Sequence, residues 1–188
     1  MNDIKAVIGK INAIGVFCGA SKIVSQEYMD LAFQCGEMLA QEGIELVYGG
    51  GAYGLMGEVY RGVNTHGGKI FGVYTQMLNE VEPLNDNITN CTIVDTLYQR
   101  KELMISRSDA FFILPGGFGT LDEFFEIIVL KFMRQHDKKL ILVNYKGFWN
   151  KLIDLCEELK EKKFVKCSTE LLYSTVSTLE EAFQLIKA

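Results

Sequence analysis

The chain has 188 residues, of which 48% are hydrophobic and 23% are charged, and its formal net charge is -5. This length suits one domain with one sizeable core, and the near-average composition excludes disordered, collagen-like and low-complexity classes. The acidic balance argues against nucleic acid as a partner, because nucleic-acid binding needs a basic face. A small anionic ligand is not excluded, since a few local Arg and Lys residues outweigh the global charge at short range.

The sequence carries no feature of a membrane protein or a metalloprotein. No apolar run reaches the ~18–20 residues that a membrane span needs, and the first five residues, MNDIK, lack the basic-then-apolar order of a signal peptide. We therefore expect a cytoplasmic protein with no membrane partner. With only His66 and His136, and no Cys/His cluster, we expect no metal site.

Short β-rich apolar runs alternate with longer helical stretches along the chain. In chain order the predicted elements are strand 13–18, helix 25–42 capped by Ser25, strand 44–48, helix 54–66, strand 69–74, a loop over 75–90, strand 92–95, helix 97–107, strand 110–114, helix 120–135, strand 139–144, helix 148–162 and helix 179–187. This alternation predicts one α/β domain over residues 1–188, with a parallel sheet covered by helices on both faces.

Three glycine-bearing turns follow predicted strands of this sheet. They are residues 19–21 (GAS), 49–51 (GGG) and 115–117 (PGG). Parallel sheets bind ligands outside the carboxyl ends of their strands. We therefore expect all three turns on one rim, around one ligand site.

The second turn belongs to a GxGxxG pattern at residues 49–54, which is typical of dinucleotide sites. The acidic residue that holds the ribose in such sites has no counterpart, because residues 72–75 read GVYT. What remains is an anion cradle in which the bare backbone of Gly50 and Gly51 faces a helix N-terminus. The alternative is that these glycines only make tight turns.

The third turn opens the segment PGGFGTLDE at residues 115–123. Gly116, Gly117 and Gly119 let the backbone approach a ligand closely. Thr120 offers an amide and a hydroxyl at the predicted helix start, where the helix dipole stabilises a phosphate. The alternative is a capping box between Thr120 and Glu123 without chemistry.

Arg100 and Lys101 lie near the start of the predicted helix that leads into the strand ending at Pro115. Such a helix face is often only solvated, but here Arg100 is expected to reach the same rim. An arginine beside a carboxylate at a phosphate pocket indicates hydrolysis of a phosphorylated sugar compound without a metal.

These motifs resemble those of a known family. Residues 49–57 (GGGAYGLMG) resemble GGGxxGLMG, Arg100 and Lys101 resemble the RK of MHxRK, and residues 115–123 match PGGxGTxxE at every fixed position. The family is the Lonely-guy family of cytokinin riboside 5'-monophosphate phosphoribohydrolases, many of which were labelled lysine decarboxylases. The resemblance runs from about residue 13 to residue 164.

The resemblance implies a Rossmann-like, doubly wound fold that forms a homodimer with active sites near the interface. It implies hydrolysis of the N-glycosidic bond of adenine-type nucleoside 5'-monophosphates, with no cofactor and with Arg100 and Glu123 as the catalytic pair. The charge of Arg100 would keep Glu123 ionised, beside an oxocarbenium-like sugar or a water molecule. The implied substrate- and phosphate-binding residues are Ser21, Gly50, Gly51, Glu82, Lys101, Gly116, Gly117, Phe118, Gly119 and Thr120.

The chain departs from the family pattern at several positions. The family's Met-His is Leu97-Tyr98, the first residue of its Glu-Glu pair is Asp122, its GVIP segment is GVYT at residues 72–75, and a proline is replaced by Glu80. These changes leave the catalytic pair intact but put the base specificity in doubt.

Two further functions compete with the hydrolase. A nucleotide or molybdenum-cofactor carrier needs only the glycine cradle, whereas the presence of both Arg100 and Glu123 favours an enzyme. An NAD-dependent oxidoreductase rests on GxGxxG alone.

Candidate dimer-interface residues on the helix after the third turn are Phe124, Phe125, Phe132 and Met133.

Overall fold

The computed structural model describes residues 10–78 and 82–188. The N-terminal residues examined for a signal peptide and the departure at Glu80 lie outside the described residues. The strands are β1 Ala13–Phe17, β2 Glu45–Tyr48, β3 Ile70–Thr75, β4 Cys91–Val94, β5 Ala110–Ile113, β6 Lys139–Val143 and β7 Ser174–Val176. The helices are α1 Gln26–Gln41, α2 Gly54–Thr65, α3 Leu97–Arg107, α4 Phe118–Phe132, α5 Asn150–Glu161 and α6 Leu179–Lys187.

All seven described strands form one parallel sheet in the order β4-β3-β2-β1-β5-β6-β7. The order in which successive strands are added to the sheet reverses between β1 and β5, which pair in parallel with Ile14 in register with Ala110. Such a switch point opens a crevice at the carboxyl ends of the two strands. The predicted α/β architecture is confirmed.

The sheet lies between two layers of helices. Leu39 of α1, Val59 of α2 and Phe183 of α6 pack in a core on one face. Met104 of α3 and Phe124 of α4 belong to the core on the other face, together with residues of α5. The strands of the centre are buried on both faces, which explains their continuous apolar runs.

Helices α1 and α2 meet backbone to backbone. A Cβ built on Gly36 would lie 2.2 Å from the carbonyl oxygen of Val59, and one built on Gly62 would lie 2.1 Å from that of Phe33. No side chain fits at either position, so the two helices touch directly along this seam.

The helix ends show where the sequence prediction was correct and where it was wrong. Thr96 and Gln99 form a capping box that starts α3 at the predicted residue. Helix α4 instead begins at Phe118 with Gly117 as N-cap, two residues earlier than predicted. The capping box between Thr120 and Glu123 is therefore absent from this described helix.

Two further differences concern the connections. Strand β7 was not predicted, and residues Gln76–Leu78 of the predicted loop form a short 3₁₀ turn. Among the described residues, no helix has both the length and the apolar character needed to cross a membrane.

Candidate functional site

The three glycine turns lie on one rim of the sheet, as predicted. The N–H of Gly19 donates to the carbonyl oxygen of Pro115 at 3.0 Å, and the N–H of Met56 donates to that of Gly19 at 3.3 Å. Gly54 has a φ of +61°, and a Cβ there would lie 2.5 Å from the carbonyl carbon of Ala20. The rim is therefore one packed unit, built from turns that are far apart in sequence.

A cavity of about 440 Å³ opens beside these turns on the side of α1 and α2. Its lining includes the exposed Ser21, Leu55 of α2, Gly117 and Phe148. Most of this wall is apolar, and the N-terminus of α4 forms one edge of it.

The N-terminus of α4 is open to solvent. The first helical hydrogen bond runs from Leu121 to Gly117 at 3.0 Å, so the N–H groups of Phe118, Gly119 and Thr120 have no partner within the helix. Around Cβ atoms built on Gly117 and Gly119 no described atom lies within 4 Å. An anion placed here would meet free amides and the positive end of the helix dipole.

The two remaining residues of this turn differ in exposure. Phe118 is 92% exposed and points away from the core. Thr120 is buried, and its Oγ1 would lie 2.1 Å from a Cβ at Gly116, so only glycine leaves room for the threonine there. Gly116 thus supports the turn, and the open positions around it face solvent.

Arg100 is held in a fixed position below the rim. Its Nε donates to the carbonyl oxygen of Val73 at 3.0 Å, and its Nη2 donates to that of Gly49 at 3.1 Å. Its Nη1 lies 3.4 Å from Oε1 of Glu123. Because Arg100 is only 6% exposed, it is not part of a solvated helix face.

Glu123 lies on the second turn of α4, with its side chain 12% exposed. Burial raises the pKa of Glu123 to about 8, and the positive charge of Arg100 lowers it only in part. The negative charge of Glu82 raises it further. The expectation that Arg100 keeps Glu123 ionised is therefore wrong for neutral pH, because desolvation outweighs the ion pair.

The second glycine turn is covered by protein. The N–H of Gly51 donates to Sδ of Met56 at 3.3 Å, and the carbonyl oxygen of Gly50 accepts from the N–H of Asn85 at 2.9 Å. Both glycines are buried. The structure therefore gives this turn a different task from the expected anion cradle: its bare backbone makes room for Arg100 and for the segment after residue 81.

Glycine is required in this turn for the same reason. A Cβ at Gly49 would lie 1.7 Å from Nη2 of Arg100, and a Cβ at Gly51 would lie 2.7 Å from Oε1 of Glu82. The sequence reasoning missed Gly49 as the acceptor for Arg100. The triple glycine was a signal for close approach, but it did not show which side chain approaches.

Lys101 is paired with α4 instead of standing free in the pocket. Its Nζ lies 2.9 Å from Oδ2 of Asp122 and 2.5 Å from Oε2 of Glu126. Hydrogen bonds to both carboxylates raise the pKa of Lys101 against the effect of burial. Asp122 departs from the family pattern but still pairs with Lys101. The second partner of Lys101, Glu126, was not among the predicted site residues.

The candidate interface residues divide into two groups. Phe124 is fully buried, so its prediction as an interface residue is wrong. Phe125, Phe132 and Met133 are exposed, and the unpredicted Val129 joins them on the same helix.

Comparisons with known proteins place the chain in a family. The family model described as "possible lysine decarboxylase" matches residues 56–186. A probable cytokinin riboside 5'-monophosphate phosphoribohydrolase from Oryza sativa subsp. japonica is 35% identical over 95% of this chain and 72% of its own. A cytokinin riboside 5'-monophosphate phosphoribohydrolase from Arabidopsis thaliana is 36% identical over 92% of this chain and 80% of its own.

Solved structures show the same fold at lower identity. The molybdenum cofactor binding protein from Rippkaea orientalis matches with a TM-score of 0.69 and 22% identity, over 95% of this chain and 97% of its own. The molybdenum cofactor carrier protein from Chlamydomonas reinhardtii matches with a TM-score of 0.70 and 19% identity, over 94% of this chain and 96% of its own. At these identities the likeness concerns the fold alone. The sequence matches are stronger and extend over nearly the whole chain, and by them the protein belongs to the Lonely-guy family, whose family model bears the lysine decarboxylase description.

Proposed function

We propose that this protein hydrolyses the N-glycosidic bond of adenosine 5'-monophosphates, including N6-modified ones, to the free base and ribose 5-phosphate. The observation that carries the proposal is the buried contact between Arg100 and Glu123 next to an open helix N-terminus. The names of the curated relatives support the same reaction. A carrier would need the open N-terminus but not the buried pair.

The phosphate of the substrate is proposed to bind at the start of α4. The N–H groups of Phe118, Gly119 and Thr120 would donate to its oxygens, and the side chain of Ser21 lies across the same cavity. Gly117 and Gly119 keep this surface free of side chains. The helix dipole adds to the binding of a dianion.

Glu123 is proposed to give a proton to the departing base. An adenine leaves poorly as an anion, so a proton on a ring nitrogen lowers the barrier. Burial raises the pKa of Glu123 to about 8, which favours the protonated carboxyl group at neutral pH. Arg100, fixed by the carbonyl oxygens of Val73 and Gly49, would hold the carboxyl in place and stabilise negative charge on the base.

The test is the release of base from AMP and from an N6-prenylated AMP by the purified protein, followed by chromatography. Glu123→Gln and Arg100→Ala are expected to lower release by roughly 10²–10⁴-fold while nucleotide binding persists. Glu158→Gln is the control, since that exposed residue of α5 pairs with Lys162. Binding of both nucleotides without release by the unaltered protein would refute the hydrolase and favour a carrier.

The pH dependence gives a second readout of the same proposal. If Glu123 acts as the acid, kcat/KM falls as pH rises through about 8, by roughly tenfold for each unit above it. A rate that rises through pH 8 would show that the ionised form of Glu123 is the active one.

A homodimer is proposed through the exposed apolar stripe of α4. Phe125, Val129, Phe132 and Met133 recur at helical spacing on one side of the helix. Sedimentation equilibrium is expected to give a dimer, and Val129→Asp is expected to give a monomer. Leu155→Asp, at an exposed apolar position of α5, should leave the mass unchanged.

A further inference from the structure

Glu82 is a second carboxyl group next to Arg100 and Glu123. Its Oε1 is buried and has no hydrogen-bond partner among the described residues. A buried oxygen of this kind costs free energy unless a ligand supplies a donor. The charge of Glu82 acts on Glu123, and the charge of Arg100 acts on Glu82, so the three groups share one site.

The backbone around Glu82 is tied to the sheet. Its N–H donates to the carbonyl oxygen of Leu78 at 2.7 Å, and its own carbonyl accepts from the hydroxyl of Tyr74 at 3.0 Å. The next residue, Pro83, accepts from the N–H of Ala52 at 3.1 Å. The carboxyl is therefore placed by backbone hydrogen bonds on both sides of it.

The second glycine turn is shaped around this carboxyl. A Cβ at Gly51 would lie 2.7 Å from Oε1 of Glu82, and Leu84 forms a β-bridge with the same glycine. A glycine at this position thus keeps space for an acidic group that no described residue neutralises by a direct bond. Such an arrangement is expected where the group works on a ligand.

The surroundings of Glu82 and Glu123 shift the pKa of both carboxyl groups. Burial raises the pKa of both, and Arg100 lowers both. The larger shift is that of Glu123, whose pKa rises to about 8. The other titratable groups that sense Glu82 are Tyr74 of β3 and the buried Cys18 after β1, and burial raises the pKa of each. Glu123 is in direct contact with Arg100, whereas Oε1 of Glu82 has no hydrogen-bond partner among the described residues and is therefore the oxygen left to accept a proton.

We propose that Glu82 is the general base that takes a proton from the attacking water, while Glu123 protonates the departing base. This rests on the proposed function. The bond between the anomeric carbon and the ring nitrogen breaks, its electron pair stays on the base, and that base takes the proton of Glu123. The water oxygen bonds to the anomeric carbon and its proton passes to Glu82. Exchange with solvent then returns one proton to Glu123 and removes one from Glu82.

The experiment compares the pH profiles of the unaltered protein, Glu82→Gln and Glu123→Gln with AMP as substrate. The unaltered protein is expected to show a bell-shaped kcat profile. Glu82→Gln should lower kcat by roughly 10²–10⁴-fold, leave KM within a few-fold, and lose the acidic limb. Glu123→Gln should lose the alkaline limb instead. Glu158→Gln, at the exposed residue of α5 that pairs with Lys162, is the control.

A second variant separates a base from a residue that merely contacts the sugar. Formate is expected to restore part of the activity of Glu82→Ala in a concentration-dependent way, because it can occupy the vacated space and accept the proton. An active Glu82→Gln that keeps both limbs, or one whose KM rises with kcat unchanged, would overturn the inference. Absence of base release by the unaltered protein would instead overturn the proposed function, and the role of Glu82 with it.

Discussion

The raised pKa of Glu123 has a consequence for stability that does not depend on any substrate. We expect Glu123→Gln to stabilise the fold, with a gain that grows as pH rises. The folded pKa of about 8 exceeds the ordinary value of 4.5. The folded state therefore holds the proton more tightly than the unfolded state. The contribution of Glu123 to stability is complete below pH 4.5 and is lost as pH rises through about 8.

The size of the effect follows from the shift. Each pKa unit corresponds to about 1.4 kcal/mol, so the difference sets an upper limit on the order of 5 kcal/mol above pH 8. Glutamine keeps the shape of the neutral carboxyl and removes the titration. Urea unfolding of both proteins at several values between pH 5 and pH 9 measures the difference directly. A difference that stays constant with pH would refute the reasoning, and Glu158→Gln should show no such trend.

Three more substitutions test other parts of the structure. Gly119→Ala places a methyl group in open space within the first turn of α4. We expect thermal unfolding to show unchanged or slightly higher stability, by up to about 1 kcal/mol. We expect the KM for AMP to rise at least tenfold. Gly49→Ala drives a methyl group into Arg100, so kcat should fall at least 100-fold, and wild-type kinetics would contradict the placement of the guanidinium. Thr96→Ala removes the capping box with Gln99 and should cost about 1 kcal/mol in urea unfolding without altering kcat; a change below 0.3 kcal/mol, roughly the error of the method, would contradict it.

Local patterns were enough to predict most of the fold. The bounds of α3 and α6 agree with the predicted ones because capping residues and periodicity coincide at both. Strand β7 escaped prediction because it is a three-residue edge strand with two polar, exposed positions. The start of α4 was misplaced because a glycine N-cap leaves no side-chain signal in the sequence.

For the candidate site, the sequence predicted which two residues would meet but not their surroundings. Motif spacing brought Arg100 and Glu123 together on one rim, and the structure has them in contact. The protonation state of Glu123 was not predictable, since it depends on how much water the fold removes and on the distance to Glu82. The partners of Arg100 were also hidden, because they are backbone carbonyl oxygens that any residue carries.

The seam between α1 and α2 limits how the site can adapt. With backbone against backbone at Gly36 and Gly62, the two helices have no layer of side chains on which to slide. Helix α2 starts directly behind the second glycine turn and α1 follows the first, so the seam ties the two turns to each other. A ligand therefore meets a fixed wall on this side.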